Sequence, residues 1–131
     1  MVNHQDGFVR SRIKAFGYAF SGWWFVIRTQ RNAWIHMVVS IAVILMSLIL
    51  RISTTSWALI LLAIALVWIA EFLNTALEAV VDLATNHQDH ELARVGKDVG
   101  AAAVLIAAVC SIAIGLLILG PPLWEALKSL F

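Results

Sequence analysis

A stripe of polar side chains interrupts the apolar segment between Trp57 and Ala84. Its members follow one another at i, i+3, i+4, i+7 and i+11: Glu71, Asn74, Thr75, Glu78 and Asp82. At about 100° per helical residue, these positions fall within an arc of roughly 100° on one helix face. A carboxylate in lipid costs on the order of 2.5 to 3.5 kcal/mol even on a lenient scale, so we predict that this face is a functional site.

The residue types in and near this stripe suit phosphoryl transfer. Glu78, with Asp82 one turn further and Asp98 nearby, offers the carboxylates that Mg²⁺ prefers beside phosphate oxygens. Lys97 can meet a phosphate as a point charge, and Glu71 suits a general base that takes a proton from an alcohol. A metal, a cation and a base are the parts that phosphoryl transfer needs, without a covalent intermediate. The sequence has neither a GxxxxGK[ST] loop nor kinase HRD and DFG motifs, so any nucleotide site differs from the familiar soluble ones.

The composition places these residues in a membrane protein. The 131-residue chain is 62% hydrophobic and only 13% charged, with a mean hydropathy of +0.91, whereas soluble domains are nearer ~45 to 50% apolar and ~25% charged. We therefore predict an all-α integral membrane protein that forms a single domain over residues 1–131. The net charge of +1 argues against nucleic acid as a partner, because binding to a phosphate backbone needs a concentrated basic face.

The elements that position the polar stripe follow from the apolar pattern. Residues 8–30 place large apolar side chains at helical spacing and predict an amphipathic helix on the membrane surface. Residues 34–51 and 57–84 predict the first two spans, and residues 91–119 the third, of which 99–119 carry no charge. Gly120, Pro121 and Pro122 predict a helix break, which leaves residues 122–131 as a short interfacial tail.

The basic residues predict the orientation in a plasma (inner) membrane. Seven lie before the first span or between the second and third, and two lie on the other side: Arg10, Arg12, Lys14, Arg28, Arg31, Arg94 and Lys97 against Arg51 and Lys128. This asymmetry puts the N-terminus in the cytoplasm. Counting about 20 residues across a ~30 Å core from Trp57 places Glu71 in the inner leaflet and Glu78 near its cytoplasmic boundary. Lys97 and Asp98 return to that same level.

Two motifs make the chain resemble a known family. The pattern ExxNxxxExxxD at 71–82 is followed by KDxxxxAV at 97–104, and their spacing to Gly7-Phe8, Lys14-Ala15 and Gly17-Tyr18 also fits. In these features the chain resembles the small prokaryotic lipid kinases, the family of bacterial diacylglycerol kinase and undecaprenol kinase. The resemblance extends from Gly7 to about Leu119.

The resemblance implies a fold, a reaction and residue roles. The fold would be a surface helix and three spans in each protomer of a homotrimer, with active sites between protomers. The reaction would transfer the γ-phosphoryl group of ATP, with Mg²⁺, to the hydroxyl of diacylglycerol or undecaprenol. By match to the motif, Glu71 would be the general base and Glu78 a metal ligand. The nucleotide would be bound by Asn74, Lys97 and Asp98, aided by Tyr18, His90 and Arg10 or Arg12.

One position departs from the family pattern. Where many members carry a glutamate that shares the metal with the residue matching Glu78, this chain has Gln30. A Gln carbonyl can still ligate, but one negative charge is lost, so weaker Mg²⁺ binding is expected. The segment from Arg31 to His36 is more similar to the undecaprenol kinase branch. His36 itself, near the start of the first span, is interpreted as a contact to lipid headgroups.

Two alternatives stay open at this level. The polar stripe could be an interhelical hydrogen-bond network in a noncatalytic bundle, such as a small ion-coupled transporter or an assembly partner. The acceptor also stays open, because a prenyl or acyl chain would lie against generic apolar side chains. A homo-oligomer is expected in either case, since three spans make too small a bundle to shield two carboxylates, a lysine and an amide from lipid.

Overall fold

The chain folds into four consecutive α-helices. The computed structural model describes residues 4–129, with side chains from Arg12 onward. The helices are α1 (His4–Thr29), α2 (Arg31–Ile49), α3 (Thr54–Thr85) and α4 (Glu91–Lys128). The last three are long and apolar enough to cross a membrane. The prediction of an all-helical chain with three candidate spans is therefore confirmed, and the position of α1 on the membrane surface stays a prediction.

The connections between the helices are short. Gln30 alone separates α1 from α2, in an extended conformation with φ −99° and ψ 116°. Ser53 caps α3 by accepting a hydrogen bond from the Ser56 backbone N–H at 3.2 Å. At the other end of α3, Asn86 adopts the left-handed conformation that Asn tolerates better than most residues. Short connections keep consecutive helices adjacent, so the polar stripe of α3 has α2 and α4 as neighbours.

The closest helix pairing is between α3 and α4. Gly100 is buried where α4 crosses Asn74 and Leu77 of α3. A Cβ at this position would overlap the Asn74 side-chain oxygen and would lie 3.1 Å from Leu77 Cδ2. The glycine is what permits this close approach, in line with the small residues that membrane helix interfaces favour. Ser111 adds a hydrogen bond to the Ala63 carbonyl oxygen at 2.9 Å.

An aromatic cluster attaches the end of α1 to α3. The Trp23 ring stacks on the Trp68 ring with centroids 4.8 Å apart and also meets Phe72 at 5.2 Å. Val26 and Ala33 are buried against the same cluster. Aromatic pairs of this kind add about 0.5 to 1.5 kcal/mol beyond the apolar area that they bury. The α1–α2 junction is therefore fixed beside the polar face of α3.

The predicted break after residue 119 is wrong. The α4 helix continues through Pro121 and Pro122 and ends at Lys128. Each proline removes one backbone N–H donor, but the residues after Pro122 are again helical. Lys128 Nζ lies 3.2 Å from Glu125 Oε1 and 5.4 Å from the centre of the Trp124 ring. The position of the C-terminal end of α4 at the membrane interface stays a prediction.

Candidate functional site

A cavity of about 260 Å³ opens where the α1–α2 junction, α3 and α4 meet. Its polar wall consists of Gln30, Asn32, His36, Glu71, Asn74 and Glu78, and its apolar wall of Ile35 together with Ala101, Val104, Leu105 and Ala108 of α4. Three of the five stripe residues, Glu71, Asn74 and Thr75, are buried. The other two, Glu78 and Asp82, are partly exposed, so the deeper half of the stripe lies inside the helix bundle.

Glu78 is held by two amide side chains. Gln30 donates from Nε2 to Glu78 Oε2 at 3.1 Å, and Asn74 donates from Nδ2 to Glu78 Oε1 at 3.0 Å. Each carboxylate oxygen thus has one neutral donor and keeps further acceptor capacity. The structure brings the two residues predicted as metal ligands, Glu78 and Gln30, into direct contact.

Glu71 lies one to two turns deeper and is 1% exposed. Its backbone carbonyl accepts a hydrogen bond from the Thr75 hydroxyl at 2.9 Å, but its side-chain Oε2 has no hydrogen-bond partner. One ionisable neighbour is His36, whose Nε2 lies 3.8 Å from Glu71 Oε2. A buried carboxylate with a free oxygen that faces a cavity is suited to accept a proton from a bound group.

His36 is the site residue that the sequence analysis missed. It lines the cavity from α2 with a side chain only 15% exposed, so it faces the polar stripe of α3, and a contact to lipid headgroups stays a prediction. A signal was present, because His36, Ser40 and Ser47 follow one another at i, i+4 and i+11 in an otherwise apolar span. That spacing puts the three residues on one face of α2, and the same kind of spacing identified the stripe in α3.

A second cavity, of about 430 Å³, lies at the turn between α3 and α4. It collects three of the predicted nucleotide residues, His90, Lys97 and Asp98. Lys97 Nζ donates to Asp82 Oδ1 at 2.5 Å, which links the two helices. His90 Nδ1 accepts from the Leu92 backbone N–H at 3.2 Å and caps α4, while Asp98 is exposed.

The two predicted nucleotide residues on α1 are Tyr18 and Arg10. Tyr18 is 75% exposed on α1 and lines neither cavity. The side chain of Arg10 lies outside the described residues. Asp82, expected to assist the metal, is instead paired with Lys97. Across the part of the chain that the structure describes, no three His, Cys, Asp or Glu side chains gather into a self-sufficient metal site.

The residues around Glu78 fit Mg²⁺ that arrives with phosphate. Mg²⁺ prefers one or two carboxylates and completes its shell with water and phosphate oxygens. Glu78 supplies the carboxylate. Gln30 turns its amide nitrogen towards Glu78, so its carbonyl oxygen would reach a shared metal ion after a rotation of the amide group. Two N–H donors already point at this carboxylate, which shows that the cavity is arranged around its negative charge. The donor set consists of hard oxygen atoms, as this cation requires.

The chemical groups follow a fixed order along α3. Glu71, Glu78 and Asp82 span about 16 Å of helix at 1.5 Å per residue, with the Asp82–Lys97 pair nearest the α3–α4 turn. A proton acceptor is thus followed by a hydrogen-bonded carboxylate and then by a lysine. An alcohol beside Glu71, a transferable phosphoryl group beside Glu78 and the remaining phosphates beside Lys97 would follow the same order along α3.

Comparison with known proteins gives a consistent result. The family model described as prokaryotic diacylglycerol kinase matches residues 17–119. The diacylglycerol kinase of Synechocystis is 43% identical over 109 residues, which cover 83% of this chain and 62% of that protein. The undecaprenol kinase of Bacillus subtilis is 41% identical over 110 residues, or 84% and 89% of the two chains. The diacylglycerol kinase of Escherichia coli is 38% identical over 119 residues, or 86% and 90%.

These matches cover the parts of the chain that build both cavities. The region from residue 17 to residue 119 includes the α1–α2 junction, the polar stripe of α3 and the first turns of α4. The similarity therefore favours a kinase over a noncatalytic helix bundle. The chain belongs to the prokaryotic diacylglycerol kinase family and is a multi-pass membrane lipid kinase of the diacylglycerol or undecaprenol type.

Proposed function

We propose that this kinase transfers the γ-phosphoryl group of ATP to a lipid hydroxyl in the cavity between Gln30, Glu71 and Glu78. One observation carries the proposal: a buried carboxylate with a free oxygen, a hydrogen-bonded carboxylate and a lysine follow one another along α3. Phosphoryl transfer depends mainly on positioning and electrostatics, and this order supplies both.

Each residue near the transferred group has a distinct role in the proposal. Glu71 takes the proton from the acceptor hydroxyl, because its residue lines the cavity and its buried Oε2 has no hydrogen-bond partner. Glu78 and Gln30 would hold Mg²⁺, with the Asn74 side chain orienting Glu78. Bound Mg²⁺ would neutralise charge on the phosphate oxygens. The proton leaves the hydroxyl as the new oxygen–phosphorus bond forms and the bond to ADP breaks.

The nucleotide occupies the second cavity in this proposal. Lys97 meets the phosphates, and Asp98 and His90 line the path toward the nucleoside. Asn74, whose side chain is hydrogen-bonded to Glu78, contacts the phosphate end of the nucleotide. Tyr18 and Arg10, on α1, complete the binding site. The exposed position of Tyr18 on its own protomer supports a contribution to the site of a neighbouring copy.

The assembly and the orientation belong to the same proposal. We infer a homotrimer with shared active sites, with the N-terminus and the α3–α4 turn in the cytoplasm of the inner membrane. The trimer is what the resemblance to the small prokaryotic lipid kinases implies, and the excess of basic residues on one side supports the orientation. This orientation brings the second cavity into the compartment that contains ATP.

A side-by-side phosphorylation assay tests the reaction and identifies the acceptor. The purified kinase in mixed micelles receives γ-labelled ATP and Mg²⁺ with either diacylglycerol or undecaprenol, and the label in the lipid extract is measured. The similarity of residues 31–36 to the undecaprenol kinase branch favours undecaprenol, although the identities of 41% and 43% to the two kinds of enzyme are nearly equal. No labelled lipid from either acceptor, with folded protein, would overturn the proposal.

A further inference from the structure

Two buried polar atoms face each other in the first cavity without hydrogen-bond partners. They are Glu71 Oε2 and His36 Nε2, and they lie 3.8 Å apart. This separation is longer than a hydrogen bond allows. Since buried polar atoms are nearly always satisfied, each unsatisfied atom at this position needs an explanation. A third polar atom between the two would satisfy both.

A hydroxyl group suits these two atoms chemically. Both atoms are closed to solvent in this structure, so the hydroxyl enters when neighbouring side chains move apart. An oxygen placed about 2.7 to 2.9 Å from both atoms would join them at an angle of roughly 90°. The O–H bond and a lone pair of a hydroxyl diverge by about 109°, so each of the two hydrogen bonds would bend by roughly 10°. Such an oxygen can therefore donate to Glu71 Oε2 and accept from an Nε2–H of His36, whereas a methylene group could do neither.

The ring of His36 is held in place by its neighbours. It meets the edge of the Trp68 ring with centroids 6.5 Å apart. Trp68 is buried, and its indole N–H donates to Ser40 Oγ at 3.3 Å. This bond joins α2 to α3, so the Trp68 ring that the His36 ring contacts is itself held in place.

An apolar groove ends at the same histidine. A cavity of about 450 Å³ begins beside His36 and runs between α2, α3 and α4 as far as Leu123. From Ala108 to Leu123 it follows about 22 Å of α4, most of the ~30 Å hydrocarbon core. Aliphatic side chains such as Val39, Ile60 and Leu116 form most of its wall. A lipid alcohol whose chain lies in this groove brings its hydroxyl end to His36.

We propose that His36 binds the hydroxyl of the lipid acceptor opposite Glu71, while the hydrocarbon chain of the acceptor occupies the groove. The inference rests on the proposed function, because it requires a lipid alcohol as substrate. His36 Nε2–H donates to the hydroxyl oxygen, and the hydroxyl proton points at Glu71. During transfer that proton passes to the Glu71 carboxylate, the oxygen bonds to the γ-phosphorus, and ADP leaves.

Two substitutions of one residue test this role. His36→Gln keeps an N–H donor near the position of Nε2, whereas His36→Asn keeps one only near the position of Nδ1. Loss of one substrate hydrogen bond lowers kcat/KM by about five- to tenfold. We expect this loss for the lipid acceptor in His36→Asn, an unchanged KM for ATP, and recovery in His36→Gln.

Controls separate this inference from the proposed function. Ser47→Ala, three turns away on α2 and outside both cavities, removes only a hydroxyl that bonds to the Val43 carbonyl, and it should match the wild type. If the wild type phosphorylates neither lipid, the proposed function fails. If the wild type is active and His36→Asn keeps full kcat/KM for the lipid, only the role of His36 fails. Equal losses in the Asn and Gln variants would also overturn it.

A spectroscopic measurement on the wild-type protein applies even if the variants fold poorly. The protein is labelled with ¹⁵N-histidine, and the His36 signals are assigned by their absence in His36→Gln or, failing that, by their proximity to Trp68. Dioctanoylglycerol or farnesol is then added, whichever class the acceptor assay identifies. The Nε2 shift of His36 should change with the alcohol but not with the matching molecule that lacks the hydroxyl. The same shift with both molecules would overturn the inference.

Discussion

The side chains around Glu78 show how this site differs from its family pattern at the level of single residues. Both donors to the carboxylate are neutral amides, Gln30 and Asn74. A glutamate at position 30 would instead place a second negative charge beside Glu78 and would require a cation between them. With glutamine at position 30, the Glu78 side chain is therefore held in place before Mg²⁺ binds.

Glu71→Gln tests the general base at this scale. The substitution keeps the size of the side chain and removes its ability to take up a proton, so kcat should fall by roughly 10²- to 10⁴-fold. Oligomeric state and ATP binding should be retained. The measurement is labelled lipid formed per minute, with size-exclusion chromatography as the folding control. A variant with wild-type turnover would remove Glu71 as the base.

Gln30→Glu tests the metal site. The new carboxylate adds attraction for Mg²⁺, so the Mg²⁺ concentration for half-maximal turnover should decrease. Thr29→Glu adds the same charge at the adjacent exposed position and should leave that concentration unchanged, because its side chain does not line the cavity. Identical Mg²⁺ titrations for Gln30→Glu and wild type would show that position 30 is not at the metal.

At the scale of the elements, the contact between α3 and α4 sets the position of Asn74. Gly100 leaves room for the Asn74 side-chain oxygen, and the Asn74 nitrogen in turn holds Glu78. The packing of two helices thus controls the geometry of a carboxylate on one of them. A disturbance at Gly100 should reach the active site without touching any substrate.

Gly100→Ala tests this coupling. The added Cβ overlaps the Asn74 oxygen, and overpacking of this kind costs about 1 to 3 kcal/mol. We expect a lower unfolding temperature and a higher Mg²⁺ requirement. Gly96→Ala, one turn earlier on the same helix, meets only Val81 Cγ2 at 3.8 Å and should keep activity and gain up to about 1 kcal/mol in stability. Equal behaviour of the two variants would contradict the coupling.

The elements also show how far the sequence predicts the structure. The stripe on α3 was predictable because polar residues at helical spacing in an apolar segment must share an inward face. The role of His36 was not, since its partner lies on another helix and their distance arises only from tertiary packing. The continuation of α4 through Pro121 and Pro122 was not predictable either, because the rule that proline ends helices is local.

For the whole molecule, the structure changes the argument for assembly. A single protomer already buries Glu71 almost completely, so shielding of that carboxylate does not require a second copy. Lys97, Asp82 and Asp98 remain partly or fully exposed, as does Tyr18 on α1. The reason to expect an oligomer is thus completion of the nucleotide site rather than protection of the base.

A mixing experiment tests the shared sites. Tyr18→Ala and Lys97→Gln are each expected to lose nucleotide affinity, which raises KM for ATP. If Tyr18 serves a neighbouring copy, oligomers reassembled from both variants contain some sites with both native residues, and part of the wild-type activity returns. Two results would contradict shared sites. One is activity of the mixture equal to the average of the two separate variants, and the other is full activity of protein that crosslinks only as monomers.

The single-residue connection between α1 and α2 has a further mechanical consequence. Gln30 is the only residue between the two helices, and its side chain reaches Glu78. Any tilt of α1 relative to the spans must pivot at this residue and change the distance between its amide and that carboxylate. If α1 rests on the bilayer, as its amphipathic pattern predicts, changes in lipid packing or curvature would alter magnesium affinity directly. Catalysis would then respond to the physical state of the membrane that contains the substrate.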